Sequence, residues 1–144
     1  MATVKDVARY ILEKKSGVSA IKLQKLVYYC QAWSLVWDEA PLFQEEIQAW
    51  ANGPVVPDLF YAHKGQFYVD CSTFSEGDIS ALTKEQKETI DAVINGYGDK
   101  SAQWLVDLTH LEEPWKVARG DCNPGERCKN VISHASMAEY YSGL

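Results

Sequence analysis

The sequence predicts a mainly α fold, a compact single-domain helical bundle over residues 1–144 wrapped around one central buried helix, with one small β-hairpin. Three observations predict it. Residues 19–37 are apolar on nearly every side, capping signatures precede several amphipathic stretches, and strands do not alternate with helices as a doubly wound sheet requires. In the central stretch Leu23, Leu26, Val27, Cys30 and Trp37 follow the three and four residue steps of one helical face. Tyr28, Tyr29, Ala32, Trp33, Leu35 and Val36 cover most of the remainder. Only Gln24, Gln31 and Asp38 are left as a polar stripe. A helix so clothed must be surrounded, and its glutamines must find buried hydrogen-bond partners or face a narrow strip of water.

Taken in order, Thr3 with Asp6 caps a first helix whose stripe is Val4, Val7, Ala8, Ile11 and Leu12. Gly17 stops it, and Ser19 caps the central helix. Residues 41–50 carry a partial period of two (Phe43, Ile47 and Ala49 on one side), which predicts a short strand. Asn52, Gly53 and Pro54 form a strong turn signal, and Pro57 suits the first position of a helix carrying Leu59, Phe60 and Tyr61. Phe67, Val69 and Cys71 alternate with Tyr68, Asp70 and Ser72, a second strand expected to pair with the first. Thr83 with Gln86 opens a helix facing inward through Ile90, Val93, Ile94 and Tyr97, ended by Gly98. Ser101 caps the next, which buries Trp104, Leu105 and Leu108 and is stopped by Pro114. A last helix over residues 133–141 docks through Met137 and Tyr140 or Tyr141.

A hydrophobic fraction of 47% with five Trp and eight Tyr excludes a disordered chain. No run of 18 apolar residues is present, and Lys5, Asp6 and Arg9 interrupt the amino-terminal stretch where a signal peptide would be apolar, so a cytoplasmic protein without a membrane segment is expected. The expected state of Cys30, Cys71, Cys122 and Cys128 is the reduced thiol. A net charge of −6 argues against a phosphate-backbone binder. Cys122, Cys128 and His134 invite a zinc reading, but the spacing is wrong and a fourth ligand is missing, so no metal or cofactor is expected. His110 with Glu112 and Glu113, or with a cysteine, could be the acid–base or thiol centre of a hydrolase. No nucleophile elbow or phosphate loop accompanies it, and capping of a helix end by a partly charged imidazole explains it more simply.

Lys22-Leu23-Gln24-Lys25-Leu26 with Tyr28-Tyr29, then Ala49-Trp50 and Gly53-Pro54-Val55, then Thr109-His110, Pro114-Trp115 and Ala118-Arg119 carry a resemblance. In that order they make the chain similar to the Panacea domain family, which includes SocA-type antitoxins and phage-associated GepA-like proteins. The likeness runs over about residues 4–141. It implies a non-enzymatic antitoxin that neutralises a toxin protein, encoded by an adjacent gene, by direct binding. For the SocA branch it also implies a proteolytic adaptor that delivers the toxin to the ClpXP protease. Carried onto this chain, the motifs suggest a toxin-facing patch of Lys22, Lys25, Tyr29, Trp50, Asn52, Gly53, Pro54, Thr109, His110, Trp115 and Arg119. Lys25 and Arg119 would supply charge there, and Tyr29, Trp50 and Trp115 apolar area. The competing expectation is that these motifs define the fold instead of touching a partner.

Overall fold

A computed structural model describes residues 2–144. Helix α1 (Val4–Lys14) leads into α2 (Ala20–Trp37), followed by a two-stranded antiparallel hairpin, β1 (Gln48–Trp50) and β2 (Gly53–Val55), and α3 (Pro57–His63). Two 3-10 turns, Cys71–Phe74 and Ile79–Ala81, precede α4 (Lys84–Tyr97), α5 (Ala102–Leu111), α6 (Glu113–Arg119) and α7 (His134–Ser142). The fold is mainly α, as expected.

The caps form as the sequence predicts. Thr3 with Asp6 and Thr83 with Gln86 make reciprocal capping boxes, while Ser19, Ser101 and Ser133 each accept from a backbone N–H in the first turn of the helix they open. Gly17, at φ 72°, takes the left-handed conformation that breaks the chain between α1 and α2.

Helix α2 is the axis of the core. Leu23, Leu26, Val27, Tyr29, Cys30 and Ala32 are fully buried, and α4 and α7 pack along it. Its polar stripe is what lets irregular segments lie against it. Gln24 bonds both backbone groups of Val56, accepting from N at 2.9 Å and donating to O at 3.3 Å. One turn pair further on, Gln31 accepts from Leu42 N at 2.7 Å and donates to Phe43 O at 2.8 Å. Asp38 accepts from the Thr89 hydroxyl at 2.7 Å and ties in α4. Each glutamine thus stands in for a neighbouring strand, satisfying backbone groups that would otherwise be buried unpaired.

Several expectations need correction. The hairpin is β1 with β2, with Trp50 opposite Gly53, and residues 67–71 are not its partner. Only the last three residues of the 41–50 stretch form a strand, because the tight turn at Ala51-Asn52 offers a local partner before a distant one can compete. Residues 67–69 instead run beside the start of α2: Ala20 N donates to Phe67 O at 2.8 Å and Val69 N to Val18 O at 3.2 Å. Cys71 begins a 3-10 turn. A stretch that showed no strand signal, residues 130–132, lines the other edge of β1 through Ala49 N to Asn130 O and Ile132 N to Ile47 O. Trp37 and Trp104, expected inside, are 51% and 44% exposed, Trp37 stacking on Trp33 and Trp104 lying under Lys100. Cys122 and Cys128, expected as free thiols, are joined in a disulfide across the 120–125 loop.

Candidate functional site

The three motifs do converge, around the hairpin. Gly53 sits at φ 112°, and a Cβ there would lie 2.7 Å from Lys25 Cε and 2.8 Å from Thr109 Oγ1. Only glycine allows α2, the hairpin and α5 to approach this closely. Lys25 Nζ donates to Pro54 O at 2.9 Å, Trp115 Nε1 donates to Trp50 O at 2.8 Å, and Arg119 donates to Ala49 O at 3.1 Å. Arg119 also donates to Glu126 O and Asn123 O, so one guanidinium gathers the hairpin and the loop beyond α6.

This convergence lies within the protein, which corrects the expected surface patch. Lys25 is 1% exposed, Tyr29 0%, Thr109 1% and Arg119 7%, and Gly53 and Pro54 are buried as well. Helix α2 is enclosed on the side that carries Lys25, and the Pro54 carbonyl holds the ammonium inside. Its burial lowers the Lys25 pKa to about 7. Of the remaining motif residues, Asn52 is exposed, while Lys22, His110 and Trp115 are half-buried and Trp50 keeps 9% of its surface. Lys22 Nζ caps the end of α4 through Gly98 O at 2.6 Å.

His110 lies in the last turn of α5, stacked on Trp115 at 4.1 Å with its rings 17° apart. The expected charged cap is not what its surroundings favour: burial, and then the positive charge of Lys25, lower its pKa, and its Nε2 is buried without a hydrogen-bond partner. No thiol meets it. Cys30 is fully buried in α2 with its pKa pushed up by desolvation, and Cys71 Sγ reaches Arg9 O at 3.9 Å. Glu112, paired with His110 in the sequence reading, turns the other way. Its Oε1 accepts from the hydroxyls of Tyr29 and Tyr141, each at 2.7 Å, and Tyr28 shares a hydrogen bond with Tyr141 at 3.0 Å. Burial raises the Glu112 pKa although both tyrosine hydrogen bonds pull it down. This carboxylate–tyrosine knot, with Tyr97 stacked on Tyr29 at 4.2 Å, joins α2, α4, α6 and α7. Sequence pattern gave no sign of it, since a Glu between two helices reads as solvent-facing. Among the described residues no group of three His, Cys, Asp or Glu could hold a metal, and no helix is long and apolar enough to cross a membrane.

A cavity of about 370 Å³ opens where α2, the hairpin and α3 meet. Ile21, Trp50, Val55 and Phe60 give it apolar walls; Lys25 and His63 stand on its inner side and Arg127 on its outer side. The Arg127 guanidinium lies 4.1 Å over the Trp50 ring and 5.2 Å from that of Phe60. His63 is 5% exposed, and its Nε2 lies 3.0 Å from the Gln24 amide nitrogen, which marks Nε2 as the acceptor of a neutral ring. Burial lowers its pKa in agreement. Beside the mouth, the bonds from residues 67–69 to the start of α2 hold Phe67 and Tyr68, 67% and 66% exposed, near Ile21 at 42%. Their rings meet edge to face at 4.7 Å.

The chain is a small helical body with a buried polar frame and an exposed aromatic edge. Residues 23–116 match the Antitoxin SocA-like, Panacea domain family, and the chain belongs to it. Among curated proteins it is similar to Antitoxin SocA of Caulobacter vibrioides (strain NA1000 / CB15N), 29% identical over 126 residues that cover 77% of this chain and 67% of that protein. No solved structure matches it.

Proposed function

We propose that this chain is a cytoplasmic antitoxin that neutralises a toxin protein, the product of an adjacent gene, by holding it, with no reaction catalysed. Family membership and the likeness to Antitoxin SocA support the antitoxin role. The observation that carries direct binding is the exposed aromatic edge of Phe67, Tyr68 and Ile21, set beside a cavity walled by Trp50 and Phe60. Aromatic side chains held on a rigid support and left open to water supply interface area at little ordering cost. Of the motif residues, Asn52 and the open edge of Trp50 reach this face and belong to the proposed interface. The buried members support it from behind.

Co-expression tests the reading. The wild-type chain should restore growth to cells expressing the neighbouring toxic protein and purify with it in fixed stoichiometry, whereas rescue without a complex would remove direct binding. Delivery to ClpXP is a separable step of the proposal. It predicts a toxin half-life that shortens when this chain is present and lengthens again in cells without ClpP.

A further inference from the structure

The cavity between α2, the hairpin and α3 has a chemical bias that the antitoxin role does not require. In a chain with 20 acidic and 14 basic residues, no acidic residue lines it, while Lys25, His63 and Arg127 all do. The Lys25 ammonium has three protons to donate, and the one hydrogen bond it makes goes to Pro54 O. Neither Lys25 nor Arg127 forms a salt bridge among the described residues, where the ion pairs are Lys5–Glu76, Arg9–Glu13, Lys15–Asp99 and Lys116–Glu113. Lys25 meets the cost of burial by a lowered pKa and Arg127 stays open to water, so both are free to pair with an anion that enters from the mouth.

We propose that this cavity binds a small carboxylic acid on an apolar body, its carboxylate set between Lys25 and Arg127 and its body against Trp50, Phe60 and Ile21. The volume falls within the usual span of small-molecule sites, roughly 300–1,000 Å³. Mixed walls select against both a bare inorganic anion, which leaves the aromatic surface wet, and a neutral apolar molecule, which leaves the bases unpaired. The titratable groups that sense Lys25 are His63 from α3 and His110 from α5, while Arg127 shares the cavity lining and Arg119 of α6 bonds the hairpin at Ala49 O. Free Lys25, with its pKa near 7, is mostly neutral at pH 8. An arriving carboxylate restores its preference for the charged form, so binding at pH 8 takes up a proton at Lys25, and at pH 6, where Lys25 is already charged, any uptake falls to His63.

The experiment titrates the full chain with 3-phenylpropanoate and, separately, with the neutral isostere 3-phenylpropanamide, by calorimetry at pH 8 in two buffers of different ionisation enthalpy. Tryptophan fluorescence gives a second readout, and the part of its change that is lost in Trp50→Phe belongs to Trp50. At pH 8 the acid should bind at least about tenfold more tightly than the amide and take up most of one proton. Arg127→Ala, at an exposed position, should weaken the acid alone. Lys25→Met should abolish both the preference and the uptake. Equal binding of acid and amide to the wild-type chain, or no binding of either at millimolar concentration, overturns the site. Uptake that persists in Lys25→Met assigns the proton to another group and overturns the role of Lys25. None of these outcomes depends on toxin binding, so failure here leaves the antitoxin reading untouched.

Discussion

The buried frame around Gly53 packs on Lys25 and the exposed edge around Phe67 on residues 18–20, and they differ in almost every physical respect. The frame is polar, closed and short of freedom: Lys25, Thr109 and Arg119 are each at most 7% exposed, Lys25 and Arg119 donate to hairpin carbonyls, and Thr109 donates to Val106 O in its own helix. The edge is aromatic, open and bonded through its backbone alone, with both rings about two-thirds exposed. Motif residues that make the chain recognisable fall mainly in the frame. Phe67 and Tyr68 belong to none of the motifs. The resemblance is thus carried mainly by the internal scaffold, and the surface proposed to hold a partner lies outside those motifs.

Substitutions in the frame should break the fold first. Gly53→Val forces a branched side chain into φ 112° and onto Lys25 and Thr109; a loss of about 3 kcal/mol or more in urea unfolding is expected. A loss within about 0.5 kcal/mol would mean the close approach is not needed. Arg119→Leu leaves the carbonyls of Ala49, Asn123 and Glu126 without their donor. Only the Ala49 carbonyl is buried, Asn123 and Glu126 being exposed, so stability should fall by about 1–3 kcal/mol, read as a shifted denaturation midpoint. Glu112→Leu strands the Tyr29 and Tyr141 hydroxyls and should cost about 2–3 kcal/mol, whereas Glu112→Gln keeps an acceptor and should cost less.

Lys25 sharpens the contrast through pH. Its pKa falls from the ordinary lysine value of 10.5 to about 7 on folding, so between those values the unfolded chain binds more protons. Its contribution therefore makes the protein more stable as pH rises from about 7 toward 10, with a slope of up to about 1.4 kcal/mol per pH unit. Below pH 7 the full penalty of a buried charge applies. Lys25→Met should remove that slope, and parallel stability curves for the two proteins between pH 7 and 10 would show that the ammonium is solvated after all. At the edge the order of effects reverses. Phe67→Ala with Tyr68→Ala should shift stability by less than about 0.5 kcal/mol per site while weakening toxin binding by about tenfold or more.

Much of the scaffold was legible. Capping boxes, the helix-breaking Gly17 and the spacing of Gln24, Gln31 and Asp38 each led to the observed arrangement, because those signals act within a turn or two of chain. The hairpin partner was not. Residues 67–71 alternate as a strand would, yet strand pairing is a contest between segments, and the two-residue turn before Gly53 wins locally. The site was legible in composition and misread in direction. A lysine on a helix ordinarily keeps its head in water, and no periodicity distinguishes Lys22, which caps α4 at the surface, from Lys25, which is sealed under Pro54. The Glu112 knot depends on tyrosines from α2 and α7 meeting across 83 and 29 residues, a contact that no local pattern encodes.

The claim that the outer edge does the holding while the inner frame only supports it is tested most directly by a footprint. Amide hydrogen exchange of this chain should be compared alone and in complex with the neighbouring gene's toxin. Slowed exchange concentrated at residues 19–22, 50–52 and 66–69, with α4 and α7 unchanged, is the expected pattern. Protection confined to α4 and α7, or a complex that leaves residues 66–69 as fast as in the free chain, would contradict it.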